Sequence, residues 1–227
     1  HRYNGLTCMQ QQKFRHYNFI NNQITSLAED KFGNLWIGTL EKGLFLLPHN
    51  YDESDPGFLR LDTHLDFPQT EIFDIKQDSE GTLLIASWKG LTLAETSQSP
   101  EDIRLHTFNT ENSELPFTEV LSIAALADQE YYLMGYDGIA RIKLVAADSI
   151  QLLEWHSYKN RIKVSSINNI IADRNGTLWG THRSGVYRLE NGTFNFDFKG
   201  TGYKKTSTYG IFYDKEDNIW IGTMDLG

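Results

Sequence analysis

The chain has 227 residues, 40% hydrophobic and 13% aromatic, with 18 Gly and 5 Pro, which excludes a disordered tail and allows one large domain or two small ones. Its formal charge is −9 and its longest basic cluster is Lys204-Lys205, so no positive face is expected for a phosphate backbone and nucleic acid is not an expected partner. The lone Cys8 excludes an internal disulfide framework and a cysteine-rich zinc site, and no apolar run approaches the roughly 20 residues of a membrane span.

In chain order, residues 1–9 contain Tyr3-Asn4-Gly5-Leu6-Thr7, which reads as the tail of a preceding unit or as a clasp strand. They show no initiator Met, basic segment or apolar run, so any targeting segment is expected to lie outside this sequence. A phrase then recurs: DKFGNLWIGT from Asp30, DSEGTLLIAS from Asp78, a degraded LADQEYYLMG from Leu126, DRNGTLWGT from Asp173 and DKEDNIWIGT from Asp214. Taking Gly38, Ala86, Met134, Gly180 and Gly222 as equivalent points gives steps of 48, 48, 46 and 42 residues. A fixed period in this range signals a repeat architecture.

Each phrase is preceded by an apolar strand (Ile24 and Leu27; Ile72 and Ile75; Val120 and Ile123; Ile167 and Ile170; Thr208 and Ile211). After it come a glycine with a short apolar segment, as at Gly43, Gly90, Gly138 and Gly185, and an aromatic segment, as at Phe14, Phe58, Ile103, Leu153 and Phe194. Four short strands per repeat, bounded by Gly, Asn and Asp turns, predict an all-β chain: a β-propeller of four-stranded antiparallel blades, five repeats of about 42–48 residues. The whole of 1–227 is expected to be one propeller region, with repeats at approximately 14–50, 58–98, 103–146, 153–192 and 194–227. Both ends fall at the same point of the period, which would allow a closed five-bladed ring with the N-terminal strand as a clasp, while the absence of any natural terminus makes part of a larger propeller the expected setting.

Within a repeat, the Asp-to-Gly turn reverses the chain because Asp bonds downstream amides and Gly tolerates positive φ. Trp36, Trp179 and Trp220, replaced by Leu84 and Tyr132, are expected to wedge between neighbouring blades. The fourth repeat reads as lacking an Ile between Trp179 and Gly180, and the third has lost both the Asp and the Gly of the turn.

Asp30, Gly33, Leu35, Trp36, Ile37, Gly38, Thr39, Gly43 and Leu44 together resemble the repeat of the two-component regulator propeller family. That resemblance covers nearly the whole chain and implies the extracytoplasmic sensor propeller of a bacterial receptor. It also implies a carbohydrate or other small-molecule cue, a membrane helix and a kinase or cyclase output outside this sequence, a periplasmic location and a homodimeric receptor.

No metalloprotease, P-loop, nucleophile-elbow or dinucleotide motif is present in the sequence, and the seven histidines never fall at ligand spacing within one element. No catalytic residue, metal or cofactor is therefore expected. His16, His106 and His156 read as solvent-side residues of outer strands, and Asp214 to Asp217 as a turn rather than a calcium loop. A carbohydrate-active enzyme propeller, of lyase or sialidase type, and a protein-interaction scaffold are the alternatives. Two residues separate Asp30 from Gly33, whereas a sialidase Asp box has one.

Opposite the Asp turns, the second-to-third-strand turns and the fourth-to-first connections carry aromatics beside charged groups. A flat apolar face with adjacent donors and acceptors suits a sugar ring. The expected ligand-binding residues are Trp88, Lys89, Tyr136, Asp137, His182, Arg183 and Tyr203.

Overall fold

The computed structural model describes residues 6–10, 13–17, 23–51, 57–61, 65, 67, 71–157, 167–182, 185–190, 193–195 and 206–223. The chain divides into two compact units, His1–Glu111 and Asn112–Gly227.

The first unit contains an antiparallel pair, β1 (Leu6–Gln10) and β2 (Lys13–Tyr17), and two four-stranded sheets. The first sheet is β3 (Ile24–Glu29), β4 (Leu35–Thr39), β5 (Leu44–Leu47) and β6 (Leu59–Arg60). The second is β7 (Ile72–Gln77), β8 (Leu83–Ser87), β9 (Gly90–Glu95) and β10 (Arg104–Phe108). The second unit begins with β11 (Ser122–Ala125), β12 (Glu130–Met134), β13 (Gly138–Ala146) and β14 (Ser149–Ser157). It continues with β15 (Ile167–Ala172), β16 (Leu178–His182), β17 (Gly185–Glu190) and β18 (Thr193–Asn195), and ends in the pair β19 (Thr208–Tyr213) and β20 (Ile219–Thr223). Every sheet is an antiparallel meander in chain order, so the four complete sheets are propeller blades.

The repeat extends to register. Inner and second strands slip by one residue at the same place in four of the five repeats, between Ile24 and Ser26, Ile72 and Asp74, Ile167 and Asn169, and Thr208 and Gly210. That register corrects the alignment of the fourth repeat. Trp179 lies opposite Ile171 as Trp36 lies opposite Ala28, and the pairing then runs through the same slip in both blades, so Gly180, Thr181 and His182 occupy the places of Ile37, Gly38 and Thr39. The residue is lost in the following turn, where His182 pairs with Gly185.

Third-repeat divergence is absorbed in the same number of residues. In the first blade Asp30 N donates to Asn34 O and Gly33 N to Asp30 O, with Gly33 at φ +83°. In the third, Leu126 N donates to Glu130 O but Glu130 N to Ala127 O, and Asp128 and Gln129 both take positive φ, 57° and 59°. A turn with a terminal left-handed glycine has become one with two left-handed central residues, the hairpin type whose twist matches the strands. The third blade is therefore complete despite its lost motif.

Side chains between sheets form the core. In the first unit Trp36 is fully buried with Leu46, Ile72, Ile75, Leu83 and Ile85, and in the second Tyr132 packs with Ile170, Leu178 and Tyr187. Both act as the wedges expected of that position. Equivalent serines tie neighbouring inner strands: Ser26 Oγ accepts from Ile75 N at 3.0 Å, and Ser122 Oγ from Ile170 N at 3.3 Å. Leu27 departs from the expected inward apolar pattern and is exposed, while Ile72, Ile75, Val120, Ile123, Ile170 and Thr208 are buried. Trp220 is 61% exposed, because among the described residues no strand follows β20 to cover it.

Candidate functional site

The motif carboxylates do more than close turns. Asp30 Oδ1 accepts from Phe32 N and Asn34 N at 2.9 and 3.0 Å, while Oδ2 accepts from Asn34 Nδ2 at 3.0 Å and from the Trp36 indole at 2.9 Å. Asp173 holds the Trp179 indole at 2.9 Å and Asp214 holds that of Trp220 at 2.6 Å. Asp214 to Asp217 is thus the same turn as Asp30 to Gly33, with Asp217 at φ +67° in the glycine position. The bond to the Trp220 indole, helped by Asn218 and the turn amides, holds the Asp214 carboxyl below the usual carboxylate range. The spacing of Asp and Trp, six residues apart in three repeats, is the signal by which the sequence could have disclosed this clamp.

At the other end of each blade lie the turns expected to bind ligand. In the first unit Ser87 Oγ donates to Gly90 O at 3.2 Å and accepts from Lys89 N at 3.1 Å. Gly90 sits at φ +132°, and a Cβ there would meet Phe108 O at 1.9 Å, so the backbone of β10 requires glycine. These contacts hold Trp88, 42% exposed, edge-on against Phe73 with ring centroids 5.8 Å apart, and leave Lys89 exposed beside it.

In the second unit Gly135 N donates to Gly138 O at 2.9 Å, closing a turn whose tip is Tyr136 and Asp137, both exposed. A Cβ on Gly135 would lie 2.6 Å from Phe117, and one on Gly138 2.5 Å from Trp155; those two rings pack 5.4 Å apart under the turn. His182 ends β16 rather than lying in its turn. It is half-buried, and its Nδ1 shares a 2.9 Å hydrogen bond with the Tyr187 hydroxyl. Trp88 and Lys89 therefore belong to one unit and Tyr136, Asp137 and His182 to the other. Arg183 and Tyr203 lie outside the described residues.

Of the outer-strand histidines, His16 is exposed while His106 and His156 are half-buried. His16 Nδ1 lies 2.8 Å from Thr7 Oγ1, and His156 Nε2 lies 3.2 Å from Glu154. No group of three metal-ligating side chains occurs among the described residues.

One site was missed by sequence reasoning. A cavity of about 590 Å³ opens in the second unit at the turn ends of the third and fourth blades, bounded by Glu130, Arg141, Arg174, Asn175 and Tyr213. Arg141 donates Nε and Nη2 to Glu130 Oε2 at 3.0 and 2.6 Å and Nη1 to Glu154 at 3.2 Å. Burial pulls the Arg141 guanidinium down, but its bonds to Glu130 outweigh this and raise it above its ordinary value. Burial likewise raises the Tyr132 phenol beneath it, and the charge of Glu154 adds to the shift. Replacement of Asp by Leu126 in the third repeat was the only sequence signal near this cavity.

A model of the family described as two component regulator propeller matches residues 18–41 and 202–225. The chain carries two-component regulator propeller repeats. The matches cover the inner hairpins of the first and fifth repeats, where the Asp–Trp clamps lie. Among solved structures, the chain is similar to the extracellular domain of a protein described as a hybrid two component system from B. thetaiotaomicron. That likeness has a TM-score of 0.74 and 20% identity, over 96% of this chain and 29% of the other. It is similar to PorZ, a surface component of the type-IX secretion system of Porphyromonas gingivalis, with a TM-score of 0.68 and 14% identity, over 98% and 35%. It is also similar to virginiamycin B lyase from Staphylococcus aureus, with a TM-score of 0.63 and 12% identity, over 96% and 70%. At these identities the likeness concerns the fold, and the chain spans about a third of the first two proteins. No curated protein matches the chain in sequence.

Proposed function

We propose that this chain forms part of the extracytoplasmic, ligand-sensing propeller of a membrane-anchored bacterial receptor, non-catalytic in itself. The observation that carries this is the match to the two component regulator propeller in two separate repeats, residues 18–41 and 202–225. The receptor acts as a dimer from the periplasm on a cytoplasmic kinase or cyclase. Its cue is a small molecule of carbohydrate class, and it shifts the receptor's equilibrium by binding one signalling state better than the other.

The recognition groups are Trp88 with Lys89, Tyr136 with Asp137, and His182 with Arg183 and Tyr203. Exposed Trp88 and Tyr136 offer aromatic faces on turns whose glycines cannot be replaced without a clash, so little ordering entropy opposes binding. His182 is held by Tyr187 and presents a fixed polar edge.

A thermal-shift screen of a glycan library on the purified chain tests this. A cognate glycan at a hundred times its Kd stabilises the folded state by about 2.7 kcal/mol, roughly 5–10 °C for a chain of this size. The expected hit is lost in Trp88→Ala where the turn of the first unit holds the glycan, or in Tyr136→Ala where the turn of the second does, and yields no product on prolonged incubation. Accumulating product would establish an enzyme instead, and a hit indifferent to both substitutions would remove these turns from recognition.

A further inference from the structure

The third blade differs from the first in a row of positions that strand pairing makes equivalent. In the first blade Trp36, Leu46 and Leu59 face one another across β4, β5 and β6; in the third, Tyr132, Arg141 and Glu154 do so across β12, β13 and β14. Leu46 is fully buried in the apolar core between blades. Arg141 occupies its place with a side chain 33% exposed, gripping Glu130 at 17%. A partly buried charge row costs desolvation that leucine would avoid, so packing alone gives no reason for it.

Arg141 of this row, with Glu130 beside it, opens onto the cavity of about 590 Å³, within the range of small-ligand sites.

We propose that this cavity is a second ligand site, for a neutral polyhydroxylated molecule of mono- or disaccharide size. Both guanidinium groups at its rim are already neutralised, Arg141 by Glu130 and Glu154 and Arg174 by Asp217 at 2.8 Å. An anionic ligand meets no unpaired guanidinium there. Hydroxyl groups instead donate to the spare carboxylate lone pairs of Glu130 and accept from the guanidinium edges, leaving the pairs intact. Asn175 and the Tyr213 hydroxyl supply further polar groups at the rim. The site shares no residue with the turns of Trp88 and Tyr136, so the two readings stand or fall separately.

Saturation-transfer NMR and calorimetric titration of the whole chain with glucose, xylose, maltose and cellobiose test it, with glucuronic acid as the anionic counterpart of glucose. At least one neutral sugar binds, and glucuronic acid binds at least tenfold more weakly than glucose. Asn175→Trp, which fills the cavity from an exposed turn without touching the core, abolishes binding, and Arg141→Leu weakens it at least tenfold. Trp88→Ala leaves it unchanged. Absence of binding by every neutral sugar at millimolar concentration overturns the proposal. So does glucuronic acid binding as well as glucose, or binding that survives both Asn175→Trp and Arg141→Leu.

Discussion

Replacing Asp30 by alanine isolates the contribution of the carboxylate–indole clamp. Asp30 is 4% exposed, Asn34 2% and Trp36 0%, so water cannot substitute for what the carboxylate provides. Phe32 lies at the surface and its amide rehydrates, and Asn34 Nδ2 keeps Ser97 O at 3.2 Å. Two donors are stranded: Asn34 N and the Trp36 indole. Each unsatisfied buried donor costs about 1–3 kcal/mol, so Asp30→Ala is expected to destabilise by about 4 kcal/mol.

Asp214→Ala removes the same set of contacts, to Glu216 N, Asn218 N, Asn218 Nδ2 and the Trp220 indole, but at a surface where water replaces them. Its effect is expected to fall within the scatter of surface substitutions. Asp30→Asn separates acceptor chemistry from shape, because its amide turns one donor group toward other donors. The assays are urea unfolding and hydrogen exchange of the Leu35–Thr39 amides. Equal effects of Asp30→Ala and Asp214→Ala, or an unperturbed Asp30→Asn, would refute the assignment of this energy to buried donors.

Gly90→Ala must move the backbone of β10 as well as adopt an unfavourable φ, and is expected to cost about 3 kcal/mol by urea unfolding; a cost below 1 would contradict the close approach. Gln129→Gly relieves a left-handed side-chain-bearing residue at φ +59° and is expected to raise stability by about 1 kcal/mol in the same assay, whereas a loss would show that the turn is unstrained. The depressed Asp214 carboxyl contributes stability that is present above the unfolded value of about 3.9 and is lost as pH falls through the lower folded value. A pH titration of the Trp220 indole proton by NMR should have its midpoint below about 3.9, and a midpoint at or above that value would remove the indole bond as its cause.

The blade plan was legible because it is written twice, in period and in turn chemistry. Asp, Gly and Trp at constant offsets disclosed the inner hairpins, and the apolar strands before them disclosed the core. The alignment of the fourth repeat was misplaced by one residue because a glycine ruler cannot distinguish Gly180 replacing Ile37 from Gly180 matching Gly38. Only the ladder opposite Ile171 and Ile170 decides between them. His182 moved for the same reason, from a turn tip to a strand end bonded to Tyr187.

Taken alone, the sequence determined the fold class, the hairpin turns and the positions able to fill the space between blades, since these depend on local periodicity and on residues with unusual backbone tolerance. Tertiary structure alone decided that Trp36 is buried on its Asp30 clamp while Trp220 performs the same chemistry in water, and that Tyr132, Arg141 and Glu154 form one row. These residues come from different strands. Whether a charge or an indole is buried depends on what the neighbouring sheet brings against it, which no spacing along one strand encodes.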